Sequence, residues 1–307
     1  MKKTSIDLSV KIKSLKLQNP TILASGILGL DSKVLQKIAS SGAGAITMKS
    51  LTLEPRKGHN NPIIVEVTSG FLNAVGYGNK GIEKGVEEFK KYEGNTPLIG
   101  SIVAKDAEEF ALLADKIQEV PIKALELALS CPHTPGFGLL AGQGTPEATS
   151  KITGAVRKKT KLPLIIKISP SVPGIGEISK AAEAEGADAI NMGNAHGPGM
   201  KIDLETGQPV LDFKVGGVSG PAIKTIMIRS VFDIYKAVKI PIIATGGITY
   251  GEDAIEAFMA GATAVGIGTG IYYRGYDIFK KVSVEVEEWL KKHGHKEISN
   301  IRGIAHE

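Results

Sequence analysis

The chain has 307 residues, of which 42% are hydrophobic and 22% charged. It is long enough to bury a substantial core, in one large α/β domain or two small ones. Its formal charge of +5 comes from scattered lysines and only 5% of residues are aromatic, which argues for solvated helix faces and against a nucleic-acid surface. A single cysteine excludes an intramolecular disulfide framework and protein-held iron–sulfur in this chain.

The opening stretch, MKKTSIDLSVKIKSLKLQNP, is basic but has no continuous apolar run behind it. It is expected to be neither a signal peptide nor a membrane anchor, and the protein is expected to be cytoplasmic. Instead the segment is predicted to form a hairpin plugging the bottom of a barrel. Eight short apolar runs follow: TILASG (21–26), AITMKS (45–50), PLIGSIV (97–103), ALELALSC (124–131), PLIIKISP (163–170), AINMGN (189–194), PIIATGG (241–247) and AVGIGTG (264–270). Near-continuous apolar character without alternation marks strands buried on both faces. Between them lie the amphipathic segments DSKVLQKIASSG, GIEKGVEEFKKY, DAEEFALLADKIQEV, ISKAAEAEG, AIKTIMIRSVFDIYKAV and GEDAIEAFMAG. Several open on Asp, Ser or Glu and close on Gly, as helix caps do.

Eight regularly spaced strand–helix units predict an α/β fold, a (β/α)8 TIM barrel spanning 1–307 as one domain. A doubly wound sheet seldom needs so many. Two connections, 51–80 and 195–220, are too long for simple barrel loops. They are Gly/Pro-rich, fall at the C-terminal face and are read as long loops walling a site.

The seventh and eighth runs end in Thr245-Gly246-Gly247 and Gly268-Thr269-Gly270. In this fold the loops after those strands commonly cradle a phosphate through backbone N–H groups. Glycines that merely make tight turns are the plainer reading, but both strands carry the signal. Phosphosugar and flavin mononucleotide (FMN) enzymes use the same pair of loops, so the ligand class stays open. Lys49 and Lys167 stand in buried runs, where an ammonium is costly unless it meets an anion or a polar ligand. Ser25 and Ser50 are candidate hydrogen-bond donors to the same ligand. His133 and His196 lack metal-ligand spacing, so no metal site is expected. Cys131 ends a strand-like run at a Pro/Gly loop. A lone cysteine is most often a small buried hydrophobe, but this one is placed for acid–base chemistry.

Taken together, ASG (24–26), KSLTLEPRKG (49–58), NAVGYGNKG (73–81), SCP (130–132), GPGMKID (197–203), VGGVSGPAIK (215–224), the GG and GT pairs and the closing RGIAH resemble dihydroorotate dehydrogenase, in order and over nearly the whole chain. The cysteine of SCP resembles the soluble class 1 enzymes, and VGGVSGPAIK the NAD-linked heteromeric subclass. The resemblance implies an FMN-dependent oxidoreductase converting (S)-dihydroorotate to orotate in pyrimidine biosynthesis. It assigns FMN contacts to Ser25, Lys49, Ser50, Ser101, Lys167, Gly193, Gly220, Gly246, Gly247, Gly268 and Thr269. Substrate contacts fall to Lys49, Asn73, Ala74, Val75, Gly76, Tyr77 and Asn194. Cys131 is the implied general base, taking a proton from C5 while hydride leaves C6 for flavin N5. The subclass also implies an electron-transfer partner carrying FAD and a [2Fe–2S] cluster, and assembly as a homodimer or heterotetramer.

Three positions depart from the family pattern. Ala128 and His133 stand where asparagines are expected, and Ala195 follows Asn194 where a threonine is expected. A lost buried hydrogen bond costs about 1–3 kcal/mol, so a different dihydropyrimidine substrate, uracil- or thymine-derived, is the alternative. The SCPH run followed by GFGLLAGQGTPE is similar to the flavin domain of dihydropyrimidine dehydrogenase. From other classes, a phosphosugar lyase or isomerase using Lys167 for Schiff-base chemistry and a non-catalytic flavin-binding paralogue remain open.

Overall fold

Two short strands, β1 (Val10–Ile12) and β2 (Leu15–Leu17), pair antiparallel near the start of the chain. The structure, a computed structural model, describes residues 6–130, 136–137 and 142–307. Strands β3 (Thr21–Leu23), β4 (Ala45–Thr47), β7 (Leu98–Ile102), β8 (Ala124–Ala128), β9 (Leu164–Ile168), β10 (Ala189–Met192), β13 (Ile242–Thr245) and β14 (Ala264–Ile267) close into a barrel. Every pairing within it is parallel. Each strand falls within one of the eight apolar runs, and the chain is a (β/α)8 barrel as expected.

Helices α1 (Ser32–Ala39), α2 (Gly81–Phe89), α3 (Ala107–Lys116), α4 (Pro146–Arg157), α5 (Ile175–Ala184), α6 (Lys224–Ala237) and α7 (Gly251–Met259) separate the strands, and α8 (Gly270–Arg274) and α9 (Ile278–Lys292) follow the last. Caps set several starts. Asp31 accepts from the Val34 N–H, and Asp106 accepts from those of Glu108 and Glu109. Helix α4 has no counterpart among the predicted segments. Its start carries a legible signal all the same: Thr145 accepts from the Ala148 N–H, with Pro146 in the first turn.

The barrel interior is built in layers, because alternate strand residues face inward. Ile22, Ala45, Ile99, Ala124, Ile165, Ala189, Ile243 and Ala264 form the lowest layer, packed against Ile12, Leu15 and Leu17 of the hairpin. The hairpin is thus the apolar plug that the sequence predicts. Two residues further along the strands the inward positions include Ser101, Glu126, Lys167, Asn191 and Thr245, all buried. An apolar floor therefore carries a polar layer directly above it.

The two long connections are not loops throughout. Strands β5 (Ile64–Val67) and β6 (Gly70–Asn73) arise from the first, and β11 (His196–Gly199) and β12 (Gly216–Ser219) from the second. They join as one antiparallel sheet in the order β11-β12-β6-β5. Long excursions must satisfy their backbone groups. Here each finds partners in the other, as in the registers Gly217↔Asn73 and Ser219↔Phe71. No helix among the described residues is long and apolar enough to cross a membrane.

Candidate active site

A cavity of about 300 Å³ opens among the C-terminal ends of the barrel strands and the added sheet. From the barrel it receives Ser25 and Gly26 after β3, Lys167 on β9, Asn194 and Ala195 after β10, Thr245 to Ile248 at the end of β13, and Gly268 to Gly270 after β14. The excursions contribute Ile64, Phe71, Asn73, Val75, Ser219 and Gly220. Of the expected ligand contacts, Ser25, Asn73, Val75, Lys167, Asn194, Gly220, Gly246, Gly247, Gly268 and Thr269 stand on its wall.

Glycine backbone forms one part of this wall for steric reasons. Gly247 has φ +77, and a Cβ there would lie 2.7 Å from the Lys224 Cβ. A Cβ on Gly268 would meet nothing nearer than 3.8 Å, so it would occupy space left open for a ligand. Among the described residues, no acceptor partners the backbone N–H groups of Gly246, Gly247, Gly268 and Thr269. Backbone donors are rarely left without a partner, and such a group suits a phosphate. Lys224 is held elsewhere. Its ammonium lies 2.9 Å from Glu256 and 3.0 Å from Asp253. The hydrogen bond to Glu256, then that to Asp253, lifts its pKa above the ordinary lysine value against the opposing effect of burial.

The polar layer forms a connected chain of hydrogen bonds. Lys167 Nζ donates to Ser25 Oγ at 2.9 Å, and Ser25 Oγ donates to Glu126 Oε1 at 2.6 Å. Ser101 Oγ reaches the same oxygen at 3.3 Å and lies 2.8 Å from Ser50 Oγ. Asn191 Nδ2 donates to Glu126 Oε2 at 2.6 Å, while its Oδ1 accepts from Thr245 Oγ1 at 2.8 Å. Ser50 and Ser101 are thus buried within the layer rather than on the cavity wall. Glu126 and Asn191 were absent from the sequence expectations. Their signal was present, a carboxylate in ALELALSC and an amide in AINMGN, of the same kind as the lysine in PLIIKISP.

The other expected residues among those described lie off this wall. Lys49 is buried just beyond β4, and its backbone N–H donates to Gly29 O. Gly193 accommodates Thr245, whose Cβ would lie 2.3 Å from any Cβ at 193. Ala74 packs with Leu72 and Leu211. Gly76 O accepts from Arg56 Nε at 3.4 Å. Tyr77 packs beside Phe137, ring centroids 5.9 Å apart, over a small cluster of Val103, Ala128 and Phe137. Asn73, on the wall itself, commits its Nδ2 to Gly217 O at 3.1 Å. Cys131 and His133 lie outside the described residues. Their neighbour Ser130 is buried and fastened to Asn194.

Comparison with known proteins agrees with this architecture. The family model described as dihydroorotate dehydrogenase matches residues 7–290. The chain is 45% identical over 305 residues to a Methanocaldococcus jannaschii protein named "Dihydroorotate dehydrogenase B (NAD(+)), catalytic subunit", covering 98% of each. It is 41% identical over 301 residues to a Methanothermobacter thermautotrophicus protein of the same name, covering 98% of this chain and 99% of the other. A crystal structure of the Eimeria tenella enzyme, described as DHODH in complex with ferulenol, superposes with a TM-score of 0.84 at 22% identity. That match covers 100% of this chain and 90% of the other, and it establishes the shared fold. Because one continuous match spans barrel, hairpin and both excursions, the chain belongs to the dihydroorotate dehydrogenase family.

Proposed function

We propose that the chain is the FMN-binding catalytic subunit of an NAD-linked dihydroorotate dehydrogenase, with residues 1–307 acting as one domain. It would oxidise (S)-dihydroorotate to orotate in pyrimidine biosynthesis. The carrying observation is one cavity that combines the N–H groups of Gly246, Gly247, Gly268 and Thr269, without acceptors among the described residues, with the buried ammonium of Lys167. The first set fits a phosphate, and the second fits a ring that gains negative charge on reduction. Family membership and the names of the relatives support the same reading.

Bound FMN supplies the acceptor for the hydride leaving C6 of the substrate. The chain's own residues do the rest. Cys131 takes the C5 proton as general base; Ser130, the residue before it in the sequence, is held by Asn194. Asn73 and Val75 wall the space beside Asn194 and orient the substrate. Lys49 serves the substrate and cofactor from beyond β4. Reoxidation through NAD needs a separate electron-transfer subunit with FAD and a [2Fe–2S] cluster. The words "catalytic subunit" in the relatives' names support such a partner.

One observation favours a second reading. Ala128 sits in an apolar cluster with Val103 and Phe137, where the family pattern has a polar amide. A dihydropyrimidine without orotate's carboxylate is then the alternative substrate. The deciding experiment is anaerobic addition of dihydroorotate to the purified chain while the flavin's visible band is watched. Rapid bleaching is expected. A yellow protein that bleaches only with dihydrouracil or dihydrothymine would establish the second reading. A colourless protein that cannot be reconstituted with FMN would overturn both.

A further inference from the structure

Glu126 carries a carboxylate that is 1% exposed, inside a barrel, and that no step above uses. The chemistry of the groups around it sets the polarity of its hydrogen bonds. An ammonium only donates and a carboxylate only accepts. Ser25 has a single hydroxyl proton, so lying between Lys167 Nζ and Glu126 Oε1 it accepts from the first and donates to the second. On the other side, Thr245 donates to Asn191 Oδ1, and Asn191 Nδ2 donates to Glu126 Oε2. Both relays therefore end on Glu126. Two consequences follow for the cavity. Ser25, its proton spent, faces a ligand as an acceptor. Lys167 has one N–H committed to Ser25 and two further N–H groups to offer at the wall.

Charge points the same way. Lys167 is 6% exposed, and its Nζ lies 3.9 Å from Glu126 Oε1. A buried ammonium needs a compensating charge and firm hydrogen bonds to hold one orientation. We propose that Glu126 is a positioning residue. Through Ser25 it holds the Lys167 ammonium at the cavity wall, aimed at a ring that becomes more negative on reduction. The proposal rests on the FMN reading above.

The test uses the full chain as wild type, Glu126→Gln, Ser25→Ala and the double variant. Each is stripped of FMN and titrated back with FMN by fluorescence. The midpoint potential of the bound flavin and the thermal midpoint of the flavin-free protein are also recorded. A glutamine carries no charge to anchor the Lys167 ammonium, and its amide must donate on one side, towards Ser25 or towards Asn191. In Glu126→Gln the reduced flavin should lose about tenfold more affinity than the oxidised flavin. That ratio equals a fall of about 30 mV for a two-electron couple. Ser25→Ala should reproduce the fall, and the double variant should be no worse than either single one, because both cut the same relay.

Wild-type potential in Glu126→Gln would overturn the proposal. So would additive losses that track a lowered thermal midpoint, the mark of a brace between strands. If Glu126→Gln does not fold, Ser25→Ala decides alone, and an unchanged potential there counts against the proposal. A wild-type protein that takes up no FMN would overturn the FMN reading and this inference with it. Wild type that binds FMN beside variants of unchanged potential would sink the inference only.

Discussion

Asn194 Nδ2 lies 3.0 Å from the backbone oxygen and 2.9 Å from the hydroxyl oxygen of Ser130, while Asn194 Oδ1 accepts from the Ala195 N–H at 2.8 Å. The whole amide is spent on the wall of the cavity and on the residue that precedes Cys131. Asn194→Ala should therefore act on turnover more than on substrate affinity. Losing hydrogen bonds worth about 1–3 kcal/mol predicts a fall in kcat of roughly tenfold or more. Steady-state kinetics would check this. A raised KM for dihydroorotate at unchanged kcat would make Asn194 a substrate ligand instead.

Replacement of Cys131 tests the acid–base assignment separately from the flavin. Cys131→Ala should lower kcat by about 10²–10⁴, with the visible flavin band and FMN affinity unchanged. Equal activity in variant and wild type would mean that another group takes the proton.

Two glycines of the cavity wall should both matter for FMN binding but differ in what they cost the fold. At Gly247, φ +77 and the Lys224 Cβ at 2.7 Å make any side chain strained. Gly247→Ala should cost about 1–2 kcal/mol of stability and weaken FMN binding. At Gly268 an added Cβ meets only Ala24 and Ile27, at 3.8 and 3.9 Å. Gly268→Ala should keep stability within about 0.5 kcal/mol yet still weaken FMN binding. Denaturation and FMN titration of both variants separate the two effects.

The floor of the barrel should govern stability without touching the site. Leu15 packs with Ile12, Leu17 and the lowest barrel layer. Leu15→Ala should cost about 2–5 kcal/mol in urea denaturation, while FMN affinity of the folded protein stays at the wild-type value.

Acid unfolding should draw on one carboxylate bound at the first helix. Glu88 Oε1 accepts from the Ser32 backbone N–H at 3.0 Å and from its hydroxyl at 2.9 Å. These bonds, the backbone one foremost, hold the carboxyl below its ordinary value of 4.5. A depressed carboxyl stabilises the fold above its unfolded pKa and loses that contribution as pH falls through the folded value. Glu88→Gln should thus lower stability at neutral pH and flatten the decline below about pH 4.5. Parallel acid limbs for variant and wild type would show that Glu88 contributes nothing to acid unfolding.

The sequence alone was enough for the number and order of barrel strands, the hairpin plug and the glycines after β13 and β14. Those features are local: buried parallel strands read as apolar runs, and a positive-φ turn packed against a neighbouring backbone needs glycine. Lys167 was also legible, because an ammonium in an apolar run has few uses. Glu126 and Asn191 showed the same anomaly, yet only the closed barrel gives them a role. Each points inward, and their partners Ser25, Ser101 and Thr245 arrive from other strands. The sheet joining β6 to β12 was hidden for the same reason, since its hydrogen bonds link two excursions far apart in the chain. Composition and short-range pattern decide which segments become strands and helices, since these depend on burial and caps within a few residues. Which polar side chains meet inside the barrel, and so which way each hydroxyl and amide points, was decided only when closure brought distant strands side by side.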